Sequence, residues 1–314
     1  MEIYHSWEEI PGNQKIVLAM GFFDGCHLGH QDVFQKTLAL ARKLHARPGV
    51  LTFWPHPMAV LAPDIHVPLL QGRKEKEAFM EKAGMDFVLF LKPDQKFLQE
   101  LPQAFMEKLA SLSGLTGLIA GENFTFGRGR AGNSSLLQSW FSKRKIPVEI
   151  VRLLAEEGKT VSSTAIRELI QQGRMKEAAL FLGRNYTMEG DVVHGFHRGS
   201  DVLGFPTANL SFTENRVLPK DGVYAARAVI DGRSYPAITN IGKNPTFGNS
   251  ERTIETFIFH FDSSIYGSPF TLEWVERIRD EIRFPLPRAL KEQIEKDIRK
   301  AEEILAAEQN EKRS

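Results

Sequence analysis

Between residue 16 and about residue 150, short apolar runs alternate with amphipathic stretches. The runs are IVLAM (16–20), GVLTFW (49–54), DFVLFL (86–91), LTGLIAG (115–121) and VEIVRLL (148–154). A strand with one wet face alternates with period two, so unbroken runs of this length suit strands buried on both faces. Between them lie QDVFQKTLALARKLHA (31–46), RKEKEAFMEKAG (73–84), PQAFMEKLASLSG (102–114) and SLLQSWFSKRK (135–145). Their amphipathic character is that of crossover helices, and the rhythm predicts a parallel α/β sheet.

The pattern then changes. SSTAIRELIQQGRMKEAALFLGR (162–184) predicts two short helices stopped at Gly173 and Gly183. From 186 to about 280 the chain is rich in strand-like segments: YTMEGDVVHG (186–195), GVYAARAVIDGRSYPAITNIG (222–242) and TIETFIFHF (253–261). The Asp231-Gly232 pair inside the second is a hairpin signal. A compact β-barrel or β-sandwich is expected here. LPRALKEQIEKDIRKAEEILAA (286–307) follows as a helix with Leu290, Ile294, Ile298 and Leu305 on one face. With 314 residues and 42% hydrophobic residues, two domains are expected, 1–183 and 184–314.

Charge narrows the partners. Forty Lys and Arg against 39 Asp and Glu leave +1, without the basic field that holds a nucleic-acid backbone. No stretch approaches the roughly 20 apolar residues of a membrane helix. MEIYHSWEEIPGNQK at the start lacks the basic region and apolar run of a secretory signal, and one cysteine forms no internal disulfide. The expectation is a cytoplasmic protein with small-molecule partners, neither nucleic acid nor membrane, working as a monomer or a transient oligomer. The Asn-x-Ser/Thr triplets at Asn123, Asn133, Asn185 and Asn209 are then not glycosylation sites.

Several motifs invite wrong chemistry. GRGRAG (127–132) matches half of a dinucleotide fingerprint, but ENFTF separates it from the strand and two arginines crowd the loop. GKT (158–160) imitates a Walker A ending, yet Leu153 stands where its first glycine belongs. His27 and His30 could ligate zinc but need further ligands, and Cys26 reads more readily as a small buried side chain than as a nucleophile.

GFFDGCHLGHQ (21–31) follows the first apolar run and opens a helix-like stretch. A strand, a glycine turn and a helix N-terminus present free N–H groups and the positive dipole end to an anion. The three-residue spacing places both imidazoles on one helix face, and Gly29 permits close approach. This stretch resembles the HxGH signature of the nucleotidyltransferase superfamily, in the form found in FMN adenylyltransferases. TFWPHPMAVL (52–61), GENFTFGRGRAGN (121–133) and VSSTAIRELI (161–170) resemble that family's further blocks, in the same order. The resemblance implies a Rossmann-like α/β fold in which His27 and His30 stabilise the α-phosphate and leaving pyrophosphate of ATP. It implies nucleotide contacts at Gly21, Phe23, Asp24, Gly29, Asn123, Ser163, Thr164 and Arg167. Asp24 can alternatively be a helix cap or a metal contact. Trp54, His56 and Pro57 either line a flavin pocket or form a rigid turn.

HGFHRGSDVLGFPTANL (194–210) is rich in glycine and ends in a hydroxyl and an amide, which can wrap phosphates and hold Mg²⁺. In RTIETFIFHF, Thr253, Glu255 and Phe257 share a strand face, and a carboxylate among apolar neighbours is either a surface ion-pair partner or a base. GFPTANL, the 222–249 segment, TIETFIFHFDSSIYG (253–267) and RIRDEIRFPLPRALKEQIEKDI (277–298) resemble the riboflavin kinase domain, a β-barrel with a terminal helix. By that resemblance Thr207 and Asn209 hold the Mg²⁺ of ATP, Glu255 takes the proton of the riboflavin 5′-hydroxyl, Gly195 and Gly199 contact the nucleotide, and Arg279 contacts flavin. The loop departs from the usual bacterial form at Ser200-Asp201-Val202-Leu203, which leaves the ATP contacts of 196–201 open. Together the resemblances imply the bifunctional riboflavin kinase/FMN adenylyltransferase family, also called FAD synthetases, with ATP, riboflavin, FMN and FAD as substrates and products.

Overall fold

The computed structural model describes residues 1–62, 64, 67–156, 158–193, 207–211, 215–243, 252–261, 265 and 269–311. The chain divides into two compact units, Met1–Ser163 and Thr164–Ser314.

Six strands of the first unit form one parallel sheet: β1 (Glu2–Tyr4), β2 (Ile16–Met20), β3 (Arg47–Phe53), β4 (Phe87–Leu91), β5 (Leu115–Gly121) and β8 (Val148–Val151). Two small antiparallel pairs, β6 (Thr125–Phe126) with β7 (Gly132–Asn133) and β9 (Ala155–Glu156) with β10 (Lys159–Thr160), lie outside it. Its helices are α1 (Leu28–Leu44), α2 (Pro57–Leu61), α3 (Arg73–Lys82), α4 (Gln95–Leu98), α5 (Pro102–Ser111) and α6 (Ser134–Ser142). The strand order is β1-β4-β3-β2-β5-β8. Every residue of β2 is buried. Ile16, Leu18 and Met20 join one core, while Val17 and Ala19 join the core on the opposite face.

The strand order reverses between β2 and β5, because β3 and β4 build outward on one side of β2 and β8 on the other side of β5. At such a switch point the loops leaving adjacent strand ends diverge and open a crevice at the carboxyl ends. Gly21 follows β2 and Asn123 lies just beyond β5, so the topology puts both at that crevice.

In the second unit, α7 (Ser163–Gln171, beginning at the unit boundary) and α8 (Met175–Leu182) precede six strands: β11 (Tyr186–Val193), β12 (Thr207–Ser211), β13 (Gly222–Ile230), β14 (Arg233–Lys243), β15 (Arg252–Ile258) and β16 (Pro269–Arg279). They close into a barrel of order β11-β12-β15-β14-β13-β16. Closure decides between the barrel and sandwich left open by the strand pattern. Asp231 and Gly232 take φ of 48° and 76° between the paired Ile230 and Arg233, the left-handed pair that a two-residue hairpin needs. The terminal helix α9 (Pro287–Glu311) packs Ala301 and Leu305 against Val223, Ala225, Ile238 and Val275. Arg227 donates to the Leu305 carbonyl and to Glu308, and Arg279 pairs with buried Asp297 at 2.7 Å.

The sequence pattern did not announce β1, α2 or α4. β1 is three residues long with two exposed, and its partner β4 lies more than eighty residues away, so no local period marks it.

Candidate functional site

The first constellation is built on the turn after β2. Gly21 has no room for a side chain: an added Cβ would stand 2.8 Å from the Phe23 ring. Phe23 then adopts φ 55°, a left-handed conformation that costs a non-glycine residue on the order of 1 kcal/mol or more. Two side chains hold the Phe22 carbonyl at this bend: Thr52 donates at 3.0 Å and Lys76 at 2.9 Å. Asp24 is 2% exposed and accepts the N–H groups of Leu70 (3.0 and 3.1 Å) and Gln71 (3.2 Å). Its carboxylate thus anchors the turn to the segment ahead of α3, and a nucleotide contact would be made beside those bonds.

His27 is the N-cap of α1 and His30 lies in its first turn. Their rings stack with centroids 3.6 Å apart and planes 20° from parallel, with His27 in extended conformation just outside the helix. The Phe23 ring backs His30 edge-on at 5.2 Å. Burial first, then the charges of His27 and Lys76, hold the His30 imidazole well below its ordinary value. A neutral ring offers one N–H and one acceptor. Gly29 packs tightly, since a Cβ there would meet the His27 ring at 3.3 Å. Cys26 is fully buried and its thiol donates to the Phe23 carbonyl, a packing role.

The Ser163 hydroxyl donates 2.9 Å to the Asp24 carbonyl and ties the last residue of the first unit to the histidine turn. Thr164, exposed, and Arg167, half-buried, follow in the first part of α7. Asn123 is exposed just past β5. In TFWPHP, Pro57 is the first residue of α2, and His56 caps it by accepting the Met58 N–H at 3.0 Å. The His56 ring also packs edge-on against Phe22 at 4.3 Å, and Trp54 packs on the sheet core. The rigid turn is therefore present, and it adjoins the histidine turn. In GRGRAG the glycine at 127 serves protein packing: its Cβ would stand 2.8 Å from the Pro102 nitrogen.

Lys76 escaped the sequence reading. It is fully buried, with its ammonium 4.0 Å from the Phe22 ring centroid and 5.4 Å from that of Trp54. A signal was present, for Lys76 precedes Phe79 and Met80 by three and four residues and so occupies the apolar stripe of its helix.

The second constellation lies on the barrel wall. Asn209 of β12 is directly opposite Glu255 of β15, and Asn240 of β14 flanks Glu255 on its other side. Thr207 is two residues from Asn209, so Thr207, Asn209, Asn240 and Glu255 share one face. Ile254, Thr256 and Ile258 turn to the other face and are buried. Burial, then the nearby Glu281 carboxylate, raise the Glu255 carboxyl above its ordinary value. Glu281 rests directly on the β14 backbone, where a Cβ on Gly242 would come within 1.8 Å of its Oε1. Asn240 and Glu281 were not anticipated: cross-strand register places Asn240, the segment just after β16 places Glu281, and neither is near Glu255 in sequence. Arg279, expected at flavin, has its guanidinium engaged by Asp297 through Nε at 2.9 Å and Nη2 at 2.7 Å. Gly195 and Gly199 lie outside the described residues.

Among the described residues, no helix is long and apolar enough to cross a membrane. The FAD synthetase family model matches residues 9–165, and the riboflavin kinase family model matches residues 182–305. The bifunctional riboflavin kinase/FMN adenylyltransferase of Bacillus subtilis is 34% identical over 91% of this chain and 92% of its own length. That of Listeria monocytogenes is 35% identical over 90% of each chain. A crystal structure from Streptococcus pneumoniae, described as a macrolide-efflux protein, superposes with a TM-score of 0.86 at 32% identity, covering 94% of this chain and 96% of that one. Its description differs from the names of the two relatives above, and the two chains share a fold. Two family models in tandem and full-length relatives above 30% identity place the chain in the bifunctional riboflavin kinase/FMN adenylyltransferase family.

Proposed function

We propose that the protein makes FMN from riboflavin and ATP at the barrel, and FAD from FMN and a second ATP at the α/β sheet. In the first reaction the riboflavin 5′-hydroxyl oxygen attacks the γ-phosphorus of ATP, ADP leaves, and Glu255 takes the hydroxyl proton. A carboxyl raised above its ordinary value is the better base for this step. In the second, an FMN phosphate oxygen attacks the α-phosphorus of ATP and pyrophosphate leaves. His27 and His30, the free N–H groups at the start of α1, and Asn123, Ser163, Thr164 and Arg167 bind and neutralise the charge that develops on the phosphates. Gly21, Phe23, Asp24 and Gly29 shape the turn that presents them.

The observation that carries the reading is the pair of constellations, one within each family match: a stacked histidine pair at the sheet's switch point and a carboxylate paired with Asn209 on the neighbouring barrel strand. Mg²⁺ fits the barrel. Thr207 and Asn209 offer neutral oxygens two residues apart on one face, the small donor set that Mg²⁺ accepts when phosphates and water complete its shell. When bound there it would neutralise phosphate charge. Trp54, His56 and Pro57 are assigned to the flavin side of the first site. Arg279 is assigned to flavin in the second, with Asp297 fixing its orientation. We assign 1–183 to adenylyl transfer and 184–314 to the kinase, with small molecules as partners, no nucleic acid or membrane partner, and a cytoplasmic monomer or transient oligomer as the working state.

The test separates the two activities. His30→Ala is expected to abolish FAD formation from FMN and leave FMN formation from riboflavin intact; Glu255→Ala is expected to do the reverse. Loss of both activities in either folded variant would refute the division of labour.

A further inference from the structure

Lys76 is fully buried, yet it ends on the turn that carries the histidine pair. A buried ammonium loses its hydration, and a methionine of similar length would fill the slot without that cost. Its surroundings recover part of the loss through the Phe22 carbonyl at 2.9 Å and the faces of Phe22 and Trp54 at 4.0 and 5.4 Å. No water reaches it, so it cannot itself touch a substrate. What it can do is act through its contacts.

We propose that Lys76 is a positioning residue for adenylyl transfer: its buried Nζ clamps the Phe22 carbonyl and so fixes the bend whose Phe23 ring backs His30. The inference rests on the adenylyltransferase reading above. The mechanical path runs from Lys76 to the Phe22 carbonyl, through the left-handed bend at Phe23, to the Phe23 ring that backs His30 at 5.2 Å. A strained bend persists only where its surroundings over-determine it, and here the determinants are Lys76, Thr52 and the closeness of Gly21 to the Phe23 ring. Charge adds to the mechanical path, after burial itself. Among the described residues, the groups that bear on His30 are its stacked neighbour His27 and Lys76 from α3, and both disfavour the imidazolium. The aromatic pair that cradles the ammonium includes Trp54, so the same lysine joins the proposed flavin side to the histidine side.

The experiment compares the full-length wild type with Lys76→Met and Thr52→Val. It uses steady-state FAD formation from FMN and MgATP, and NMR titration of ¹³C-histidine-labelled protein with His30 assigned through His30→Ala. In Lys76→Met, kcat should fall at least about tenfold with KM for ATP and FMN within about twofold, as expected when a group is misplaced and binding is kept. The His30 resonance should titrate at higher pH than in the wild type. Thr52→Val removes the other donor to the same carbonyl, so kcat should fall while the His30 titration stays at the wild-type position. A wild-type kcat in Lys76→Met, or a reduced kcat with an unmoved His30 titration, would overturn the proposal. If Lys76→Met fails to fold, Thr52→Val decides: a wild-type kcat there overturns the clamp. Wild-type protein that makes no FAD from FMN would instead refute the adenylyltransferase reading.

Discussion

His30 sits between the stacked His27 ring and the edge-on Phe23 ring, on a turn where Gly21 leaves no room for a side chain. The spacing of the two histidines predicts a shared helix face; His27 is in fact the extended N-cap of α1, and its ring stacks on that of His30 at 3.6 Å from there. Glu255 was legible in the same way, from strand alternation. The groups that tune these residues were not, because Lys76 and Glu281 reach them through space from elements remote in sequence. The tuning gives a pH prediction. Glu255 is raised by burial and then by Glu281, and the base must be ionised to work, so FMN formation should fall as pH drops through this raised value. Glu281→Gln removes the neighbouring negative charge and should move the acid limb of kcat/KM for FMN formation to lower pH. An acid limb that stays in place would remove Glu281 from the site. The linkage has a definite sign: a carboxyl raised in the folded state favours folding at low pH, and that contribution is lost as pH rises through the folded value. At the turn, Gly21→Ala should depress FAD formation without touching FMN formation, since the new methyl would stand 2.8 Å from the Phe23 ring.

Strands β2 to β5 were readable because both faces of the sheet are covered, which leaves apolar runs without alternation. The edge strand β1 was not, since two of its three residues are exposed and its position is set by β4. The terminal helix α9 was legible as an amphipathic pattern, but its anchors were not. Asp297, 3% exposed, accepts from Arg279 and from Gln293 at 2.8 Å, and Arg227 grips the last turns through Leu305 and Glu308. Removing one partner of such a buried pair strands the other charge, which costs about 3–5 kcal/mol. Asp297→Ala should therefore lower the stability of the barrel unit by that order in urea unfolding followed by FMN formation. A loss within about 0.5 kcal/mol, the range of ordinary surface substitutions, would show that apolar packing of Ala301 and Leu305 alone holds the helix.

For the whole molecule, the change of rhythm near 183 predicts two domains; the two family models match residues 9–165 and 182–305. The compact units divide at Ser163 and Thr164, which counts α8 and nearly all of α7 with the barrel. Sequence pattern reads composition and period, whereas contacts follow packing: α8 shares its unit with β16, and the Gly173 turn before it meets Arg277 and Tyr224. The central claim is that the two units carry separate and sequential reactions. It is tested most directly by mixing two full-length variants, His30→Ala and Glu255→Gln, with riboflavin and MgATP and following flavins by chromatography. Each variant alone should fail to make FAD from riboflavin, and the mixture should make it, because FMN released by the first is adenylylated by the second. A mixture that accumulates FMN without FAD, or that makes no FMN, would contradict it.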